Sequence, residues 1–174
     1  MKGLIVCVLL LVSAVPALAE RIDFYDGGLS LTLPEGDLSF TRLAQEETNR
    51  TFPGADHGFI SRDGNRLLDI RVLSEPSGGD GTLAIVGQRQ AARLEQEDYR
   101  IRRQGPVATG GREWYAVAFA GRAGPFPLVG EARLARLGQG RIVMVTVRMF
   151  ARHDDDSADS DEILRAILGS LAVR

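Results

Sequence analysis

The sequence predicts an α+β protein in which amphipathic helices cover an antiparallel sheet. Segments with the period-2 alternation of half-buried strands occur in both the early and the late part of the chain. Two segments have apolar residues at helical spacing, one in the middle of the chain and one at its end. Helices and a sheet of this kind are expected to stack as layers around one hydrophobic core.

The first strands are predicted from alternating leucines. Leu29, Leu31 and Leu33 alternate with small polar residues, which is typical of a strand with one buried face, and turn residues follow at 34–37. Further strand candidates lie at 38–43, at 58–61 and around Leu68, Ile70 and Val72. We expect these strands to form an antiparallel meander, with a polar stretch at 44–50 between two of them.

The first helix is predicted at 82–97, after a dense cluster of turn residues at 75–80. Asp80 or Thr82 is suited to the N-cap position. An apolar stripe at helical spacing consists of Leu83, Val86, Ala91 and Leu94. Gly87 weakens the prediction slightly, because glycine is a poor helix former.

The later strands are predicted to include the centre of the sheet. In the segment 114–120, Tyr115, Val117 and Phe119 share one face, and the small Ala116 and Ala118 on the other face suit a closely packed helix. Strand candidates at 99–103 and 128–137 flank this segment, and a loop is predicted at 121–127. Residues 141–150 are apolar on nearly every position of both faces, so they predict a central, covered strand.

The last predicted element is an amphipathic helix. Asp159 and Glu162 have the spacing of a capping box, with aspartate in place of the usual serine or threonine. The apolar stripe that follows consists of Ile163, Leu164, Ile167, Leu168 and Leu171.

Residues 1–19 have the pattern of a cleavable secretory signal peptide. Lys2 supplies a short cationic start, residues 4–15 are apolar except for Ser13, and Ala17-Leu18-Ala19 forms the small-residue cleavage site. The apolar run is too short for a spanning helix, and charge begins at Glu20. We therefore expect a periplasmic or secreted protein without a membrane anchor, formed by residues 20–174 as one domain.

Cleavage would remove both Cys7 and Lys2, which are the only cysteine and the only lysine of the chain. The expected mature chain then has no thiol for a disulfide, for nucleophilic catalysis or for metal binding. All 20 of its Lys and Arg residues are arginines, and against 23 Asp and Glu they give a net charge near −3. The arginines are scattered along the sequence, so no nucleic-acid partner is expected.

The order of the elements resembles the PsbP-like fold superfamily, which includes PsbP, a Ran-release factor and small exported bacterial proteins. The likeness is carried by the early strand with its Pro-Glu-Gly turn at 29–36, the helix after Asp80 and the strand at 114–120. It continues in the hairpin at 128–150 and the final helix that ends Ile167-Leu168-Gly169-Ser170-Leu171. The resemblance implies an α/β/α sandwich and a non-catalytic binding, assembly or chaperone-like role. It has no diagnostic motif and therefore assigns no functional residues.

The densest cluster of polar residues is the acidic segment from His153 to Glu162. Its carboxylates could bind a hard cation such as calcium through oxygen ligands, although the EF-hand pattern fails. Acidic residues at a helix N-terminus are also explained by the helix dipole, and we favour that interpretation. The candidate calcium ligands are Asp154, Asp155, Asp156, Asp159 and Asp161.

Two further candidate sites are open from the sequence. His57, next to Asp56, could act as a general base in a hydrolase, but no nucleophile motif accompanies it, so a histidine in a loop or at a strand edge is favoured. The predicted loop at 121–127 carries Arg122 and one aromatic residue, Phe126, which could anchor a partner or fold back onto the sheet.

The sequence therefore favours a non-enzymatic exported binding, assembly or chaperone-like protein that uses the exposed sheet face or the Phe126 loop. An exported hydrolase that uses His57 or the acidic cluster, and a calcium-dependent binding protein, are the alternatives. No cofactor other than calcium is suggested, and the partner is an unidentified protein or small ligand.

Overall fold

The computed structural model describes residues 20–74, 82–138, 140–150 and 158–174. The predicted signal peptide lies outside these residues. The elements, in chain order, are β1 Glu20–Phe24, β2 Leu29–Leu33, a 3₁₀ turn Gly36–Leu38, β3 Phe40–Arg42, α1 Gln45–Thr51, β4 His57–Ser61, β5 Arg66–Ser74, α2 Leu83–Gln96, β6 Arg100–Thr109, β7 Arg112–Ala123, β8 Phe126–Gly138, β9 Arg141–Phe150, α3 Ala158–Gly169 and β10 Ala172–Val173.

Seven of the strands form one antiparallel sheet in the order β3-β4-β5-β9-β8-β7-β6. The prediction of a central strand at 141–150 is confirmed, because β9 lies in the middle of this order. Ile142, Val143, Val145 and Val147 are fully buried, which shows that both faces of β9 are covered. The predicted α+β class is confirmed.

The two faces of this sheet have different covers. One face packs against α3 and against β1, β2 and β10, with Trp114, Val145 and Leu168 in the shared core. We call it the closed face. The other face packs against α2 through Tyr115, Val117 and Phe119, as their predicted common face requires, and against α1 at the β4 edge. We call it the cleft face.

The expected single meander is wrong for the first two strands. β1 and β2 pair with each other and β2 pairs with β10, so that these strands form a separate three-stranded sheet. The other edge of β2 is occupied by the two-residue strand β10, whose Ala172 pairs with Ser30. Such a short partner has no alternation of its own that would show in the sequence.

The polar stretch at 44–50 contains helix α1, which the sequence did not predict. Thr48 is its one buried residue, so the helix has no apolar stripe. It packs at its C-terminal end instead, where the Phe52 ring and the Thr48 hydroxyl lie against Gly58. A Cβ at Gly58 would come within 2.8 Å of Phe52, so glycine is required for this contact.

The predicted helix at 82–97 is confirmed as α2, with Thr82 as the N-cap whose side chain accepts a hydrogen bond from the Ile85 amide. Gly87 has a structural role in this helix, although glycine is a poor helix former. A Cβ at this position would lie 2.1 Å from Tyr115 Cδ1, so the helix can lie this close to β7 only because residue 87 has no side chain. This close contact is on the Tyr115 face of β7, not on the alanine face where we expected it.

The predicted loop at 121–127 is also wrong. β7 continues to Ala123 and β8 begins at Phe126, which leaves a two-residue turn of Gly124 and Pro125. Glycine and proline indicated a loop, yet Gly121 lies within β7. Glycine suits this strand position because a Cβ there would come within 2.5 Å of the Tyr99 ring. Phe126 is therefore at the tip of a long hairpin.

Candidate binding cleft

A cavity of about 360 Å³ opens on the cleft face, over β5 and β9 and between the C-terminal ends of α1 and α2. This volume is at the lower end of the range for small-ligand sites. The cavity is lined by Thr51, Phe52, Pro53, Leu67, Arg71, Arg93, Leu94, Glu97, Tyr99, Ala123, Leu128, Arg148 and Phe150. Two helices that cover opposite sides of one sheet face thus leave a gap between them, which we call the cleft.

Two arginines at the floor of the cleft are joined to a buried carboxylate beneath it. Asp69 is fully buried and accepts hydrogen bonds from Arg71 Nε at 3.1 Å and Arg71 Nη2 at 2.7 Å. Its second carboxylate oxygen accepts a hydrogen bond from Arg148 Nη1. A buried carboxylate is stable only when it is paired in this way. Asp69 therefore holds the two guanidinium groups in fixed positions.

Strand alternation and pairing bring these residues together. In β5, Leu68, Ile70 and Val72 belong to the core of the closed face, so Asp69 and Arg71 project to the opposite side. Arg148 pairs with Leu67 on the neighbouring strand β9 and lies on the same face as Asp69. The side-chain contact joins positions 79 residues apart in the sequence.

The two arginines keep unused hydrogen-bond donors. A guanidinium group has five N–H donors. Arg71 uses two of them on Asp69 and Arg148 uses one, and the described residues provide no other hydrogen-bond acceptor for either group. Since both arginines line the cleft, the remaining donors are available to a bound molecule.

Apolar and aromatic side chains line part of the cleft, beside polar and charged ones. The Arg148 guanidinium lies over the Phe52 ring, 5.8 Å from its centroid, in a cation–π contact. The Tyr99 ring packs on Phe119 at 5.3 Å. At the outer rim, Arg93 Nε and Glu97 Oε1 form an exposed i,i+4 ion pair at 3.0 Å. The cleft therefore combines two arginines at its floor with walls that are partly apolar and partly charged.

Phe126, the predicted partner-binding residue, lies beside the mouth of the cleft. Its side chain is 60% exposed, and its ring meets the edge of Phe150 at 6.4 Å. Arg122, the second predicted residue, donates a hydrogen bond from Nη2 to the Pro125 carbonyl oxygen and so closes the hairpin turn. Because Arg122 pairs with Pro127 and its neighbour Ala123 pairs with Phe126, the two predicted residues project from opposite faces of the hairpin.

His57 lies at the edge of the closed face, among aromatic rings. Arg42 Nη2 donates a hydrogen bond to His57 Nδ1 at 2.8 Å, so this nitrogen is the unprotonated one. The rings of Phe24 and Tyr25 lie at 5.0 and 5.7 Å. Burial and the Arg42 charge lower the pKa of His57, and Asp56 opposes them.

Asp56 is held by its own partners beside His57. Its Oδ2 accepts hydrogen bonds from the Tyr25 hydroxyl at 2.9 Å and from the Val72 amide at 2.7 Å. Burial, together with this hydrogen bond, raises the pKa of Tyr25. In the part of the chain that the structure describes, His57 has no hydrogen bond to a serine or a carboxylate. The arrangement that the hydrolase alternative needs is therefore not formed by these residues.

The acidic segment gives no described site. Asp154, Asp155 and Asp156 lie outside the described residues, and Asp159 and Asp161 belong to α3 without described side chains. Over the described ranges, no group of three or more His, Cys, Asp or Glu side chains is arranged to hold a metal ion. The calcium site remains a prediction.

A second cavity, of about 510 Å³, lies beside α3 and the end of β2. It is lined by Thr32, Leu33, Pro34, Leu38, Glu162, Ile163, Ala166, Ile167 and Ser170. Glu162 is its one charged residue. This cavity therefore offers an apolar surface but few groups that could orient a ligand.

Comparison with solved structures identifies the architecture. The chain is similar to cyanobacterial PsbP (CyanoP) from Synechocystis sp. PCC 6803, with a TM-score of 0.66 and 14% identity over 90% of this chain and 92% of that one. It is also similar to the Ran-binding protein Mog1p of Saccharomyces cerevisiae, with a TM-score of 0.60 and 15% identity over 90% of this chain and 95% of Mog1p.

A third similar structure is LpqN of Mycobacterium tuberculosis, which is described as involved in cell envelope biogenesis. Its TM-score is 0.54, with 13% identity over 90% of both chains. No protein-family profile and no curated protein sequence matches the chain. Within the described ranges, no helix has both the length and the apolar character needed to cross a bilayer. The shared topology over most of each chain shows that this protein has the fold of the PsbP-like superfamily.

Proposed function

We propose that this chain is a non-enzymatic binding or assembly protein of the cell envelope, and that it engages its partner at the cleft. The observation that carries the proposal is the pair Arg71 and Arg148, which Asp69 fixes in the cleft floor with unused donors. Arginine stays protonated at physiological pH and cannot transfer a proton. Two such groups are therefore suited to holding an anionic group rather than to acid–base chemistry.

The exposed ring of Phe126 extends this surface beyond the cleft. Aromatic side chains at the centre of contact surfaces carry a large share of binding energy. A ring that is 60% exposed beside a charged cleft offers such an anchor. A partner would then contact both the hairpin tip and the cleft.

The similar structures support a binding role in the envelope. Mog1p is described as a Ran-binding protein and LpqN as involved in cell envelope biogenesis. Neither description concerns catalysis. The signal-peptide pattern at residues 1–19 supports export, and we expect the N-terminus of the exported protein to be Glu20 when it is sequenced chemically.

Site-specific photo-crosslinking tests the binding surface. A photoreactive phenylalanine analogue at position 126 should give a crosslinked adduct in an extract of the native envelope, and an excess of unmodified protein should abolish it. The control carries the same analogue at Glu35, an exposed residue beyond the closed face. Adducts from position 35 alone, or equal adducts from both positions, would contradict the proposal.

A further inference from the structure

We infer that the cleft binds a carboxylate that is attached to an apolar body, and that it discriminates against doubly charged anions. The inference rests on the proposed function, since it names the chemistry recognised at the same site. Two sources of this chemistry exist: a free monocarboxylic acid, or the C-terminal carboxylate of a peptide with an apolar end.

The charge of the cleft selects a single negative charge. Arg71 and Arg148 contribute two positive charges to the floor, and the buried Asp69 neutralises one of them. At the rim, Arg93 and Glu97 neutralise each other. A bound carboxylate would balance the remaining charge, whereas a phosphate dianion would leave an excess negative charge beside Asp69, which is costly in a partly buried site.

The hydrogen-bonding geometry also suits a carboxylate. A planar guanidinium group can donate two parallel N–H bonds to the two oxygens of a carboxylate. The side chains of Arg71 and Arg148 are only 11% and 20% exposed, so little water competes for these donors. Their positions are already fixed by Asp69, so less side-chain entropy is lost on binding.

The walls define the rest of the ligand. Phe52, Leu94 and Phe150 line the cleft around its charged floor. A small cavity of about 360 Å³ accommodates a single aromatic or aliphatic group rather than a large ligand. An apolar body would contact these walls while its carboxylate reaches the floor.

Isothermal titration of the protein with 3-phenylpropionate tests the inference. The neutral amide of this acid and phenyl phosphate are the matched probes. We expect 3-phenylpropionate to bind at least tenfold more tightly than either of them. Equal affinity of the acid and its amide, stronger binding of phenyl phosphate, or the absence of binding by the acid would overturn the inference.

The source of the carboxylate is tested with a short peptide that ends in Leu-Phe. If a partner's C-terminus is the natural ligand, the free peptide should bind more tightly than 3-phenylpropionate, and its C-terminal amide should bind at least tenfold less tightly. If the natural ligand is a small acid, both peptides should bind less tightly than 3-phenylpropionate. Equal binding of the peptide and its amide, at an affinity above that of the acid, would contradict carboxylate recognition.

Three substitutions separate binding from folding. Arg148→Gln should weaken 3-phenylpropionate binding at least tenfold, and the exposed Arg122→Gln on the other face of the hairpin should leave it unchanged. Asp69→Asn adds net positive charge to the floor and should strengthen phenyl phosphate relative to 3-phenylpropionate. Circular dichroism confirms folding of each variant, and a folded Arg148→Gln protein with wild-type affinity would refute the inference.

The titration and the crosslinking experiment can fail separately. If 3-phenylpropionate binds as expected while position 126 gives no specific adduct, the carboxylate site stands and the partner surface does not. If position 126 gives a specific adduct while the acid and its amide bind equally, the partner surface stands and the carboxylate site is wrong.

Discussion

The two faces of the seven-stranded sheet differ in how completely they are covered. On the closed face, α3 and the three-stranded sheet bury a continuous core that includes Leu31, Trp114 and Leu168, all fully buried. Even the Trp114 indole N–H is satisfied, by a 3.2 Å hydrogen bond to the Thr109 carbonyl oxygen. On the cleft face, α1 and α2 leave a gap over β5 and β9, and charged side chains occupy it.

A single strand contributes to both faces. Alternation in β5 sends Leu68 and Ile70 into the closed core and sends Asp69 and Arg71 to the cleft. The closed face stabilises the fold through buried apolar area. Charged side chains are stable when buried only in mutual contact, as Glu131 and Arg133 are on the closed face. We propose that the charged network of the cleft face serves binding.

The largest effect is expected from a cavity in the closed core. Leu168→Ala should lower the free energy of unfolding by about 2–5 kcal/mol, because Leu168 is fully buried and its neighbours cannot fill the space. Urea denaturation measures this loss. Binding of 3-phenylpropionate to the folded fraction should stay at its wild-type affinity. A loss of affinity in the folded variant would mean that binding also depends on the closed face.

Asp69→Asn is expected to cost about 3 kcal/mol, because the neutral amide leaves two partly buried guanidinium groups without their counter-charge. The same urea experiment measures it. A loss below about 1 kcal/mol would place the network in the class of exposed ion pairs and would contradict the buried, fixed floor described above.

Gly87→Ala should destabilise the protein by about 1–3 kcal/mol, although alanine is the better helix former, because the new methyl group would overlap the Tyr115 ring. Thermal unfolding followed by circular dichroism measures the change. Gly169→Ala in α3 is the matched control, since a Cβ added there would have no atom within 4 Å apart from its chain neighbours and the backbone of its own helix. Equal effects at the two positions would mean that α2 is not in close contact with β7.

The smallest effect is expected at Asp63, an exposed aspartate that can be compared with the buried Asp69. Burial tends to raise its pKa, but hydrogen bonds from Ser61 and Asn65 and the charge of Arg66 lower it to about 2, from the usual 3.8. Because the folded pKa is the lower one, the carboxylate stabilises the fold above pH 3.8 and loses this effect as the pH falls toward 2.

Asp63→Asn should therefore cost about 1 kcal/mol at pH 7, a value reduced by solvent screening. The difference from wild type should disappear when unfolding is measured near pH 2. A difference that persists there would assign the effect to turn geometry rather than to charge.

The elements that sequence could predict are those with a pattern of their own. The apolar stripe from Leu83 to Leu94 predicted α2, and the apolar run of β9 predicted a central strand. Helix α1 could not be predicted in this way, because it depends on Phe52 packing against Gly58 of another element.

The candidate site was harder to predict than the fold. The sequence indicated Phe126 as the one aromatic residue of its segment; its side chain is exposed, and its contact role stays a prediction. Asp69, Arg71 and Arg148 were not indicated, because charges that alternate with apolar residues also indicate a solvated face. The opposite charges of Asp69 and Arg148 in two predicted strands could have indicated an ion pair. Their contact depends on the pairing of β5 with β9, however, and no local sequence pattern reveals that pairing.

An NMR titration of ¹⁵N-labelled protein with 3-phenylpropionate tests directly whether the cleft face is the binding face. We expect the backbone amide shifts to change at cleft residues such as Phe52, Arg71 and Arg148, while those of Leu31 and Leu168 on the closed face stay constant. Changes centred on Ile163 and Ile167 beside the apolar cavity, or no changes at the cleft, would contradict the claim that the cleft face is the binding face.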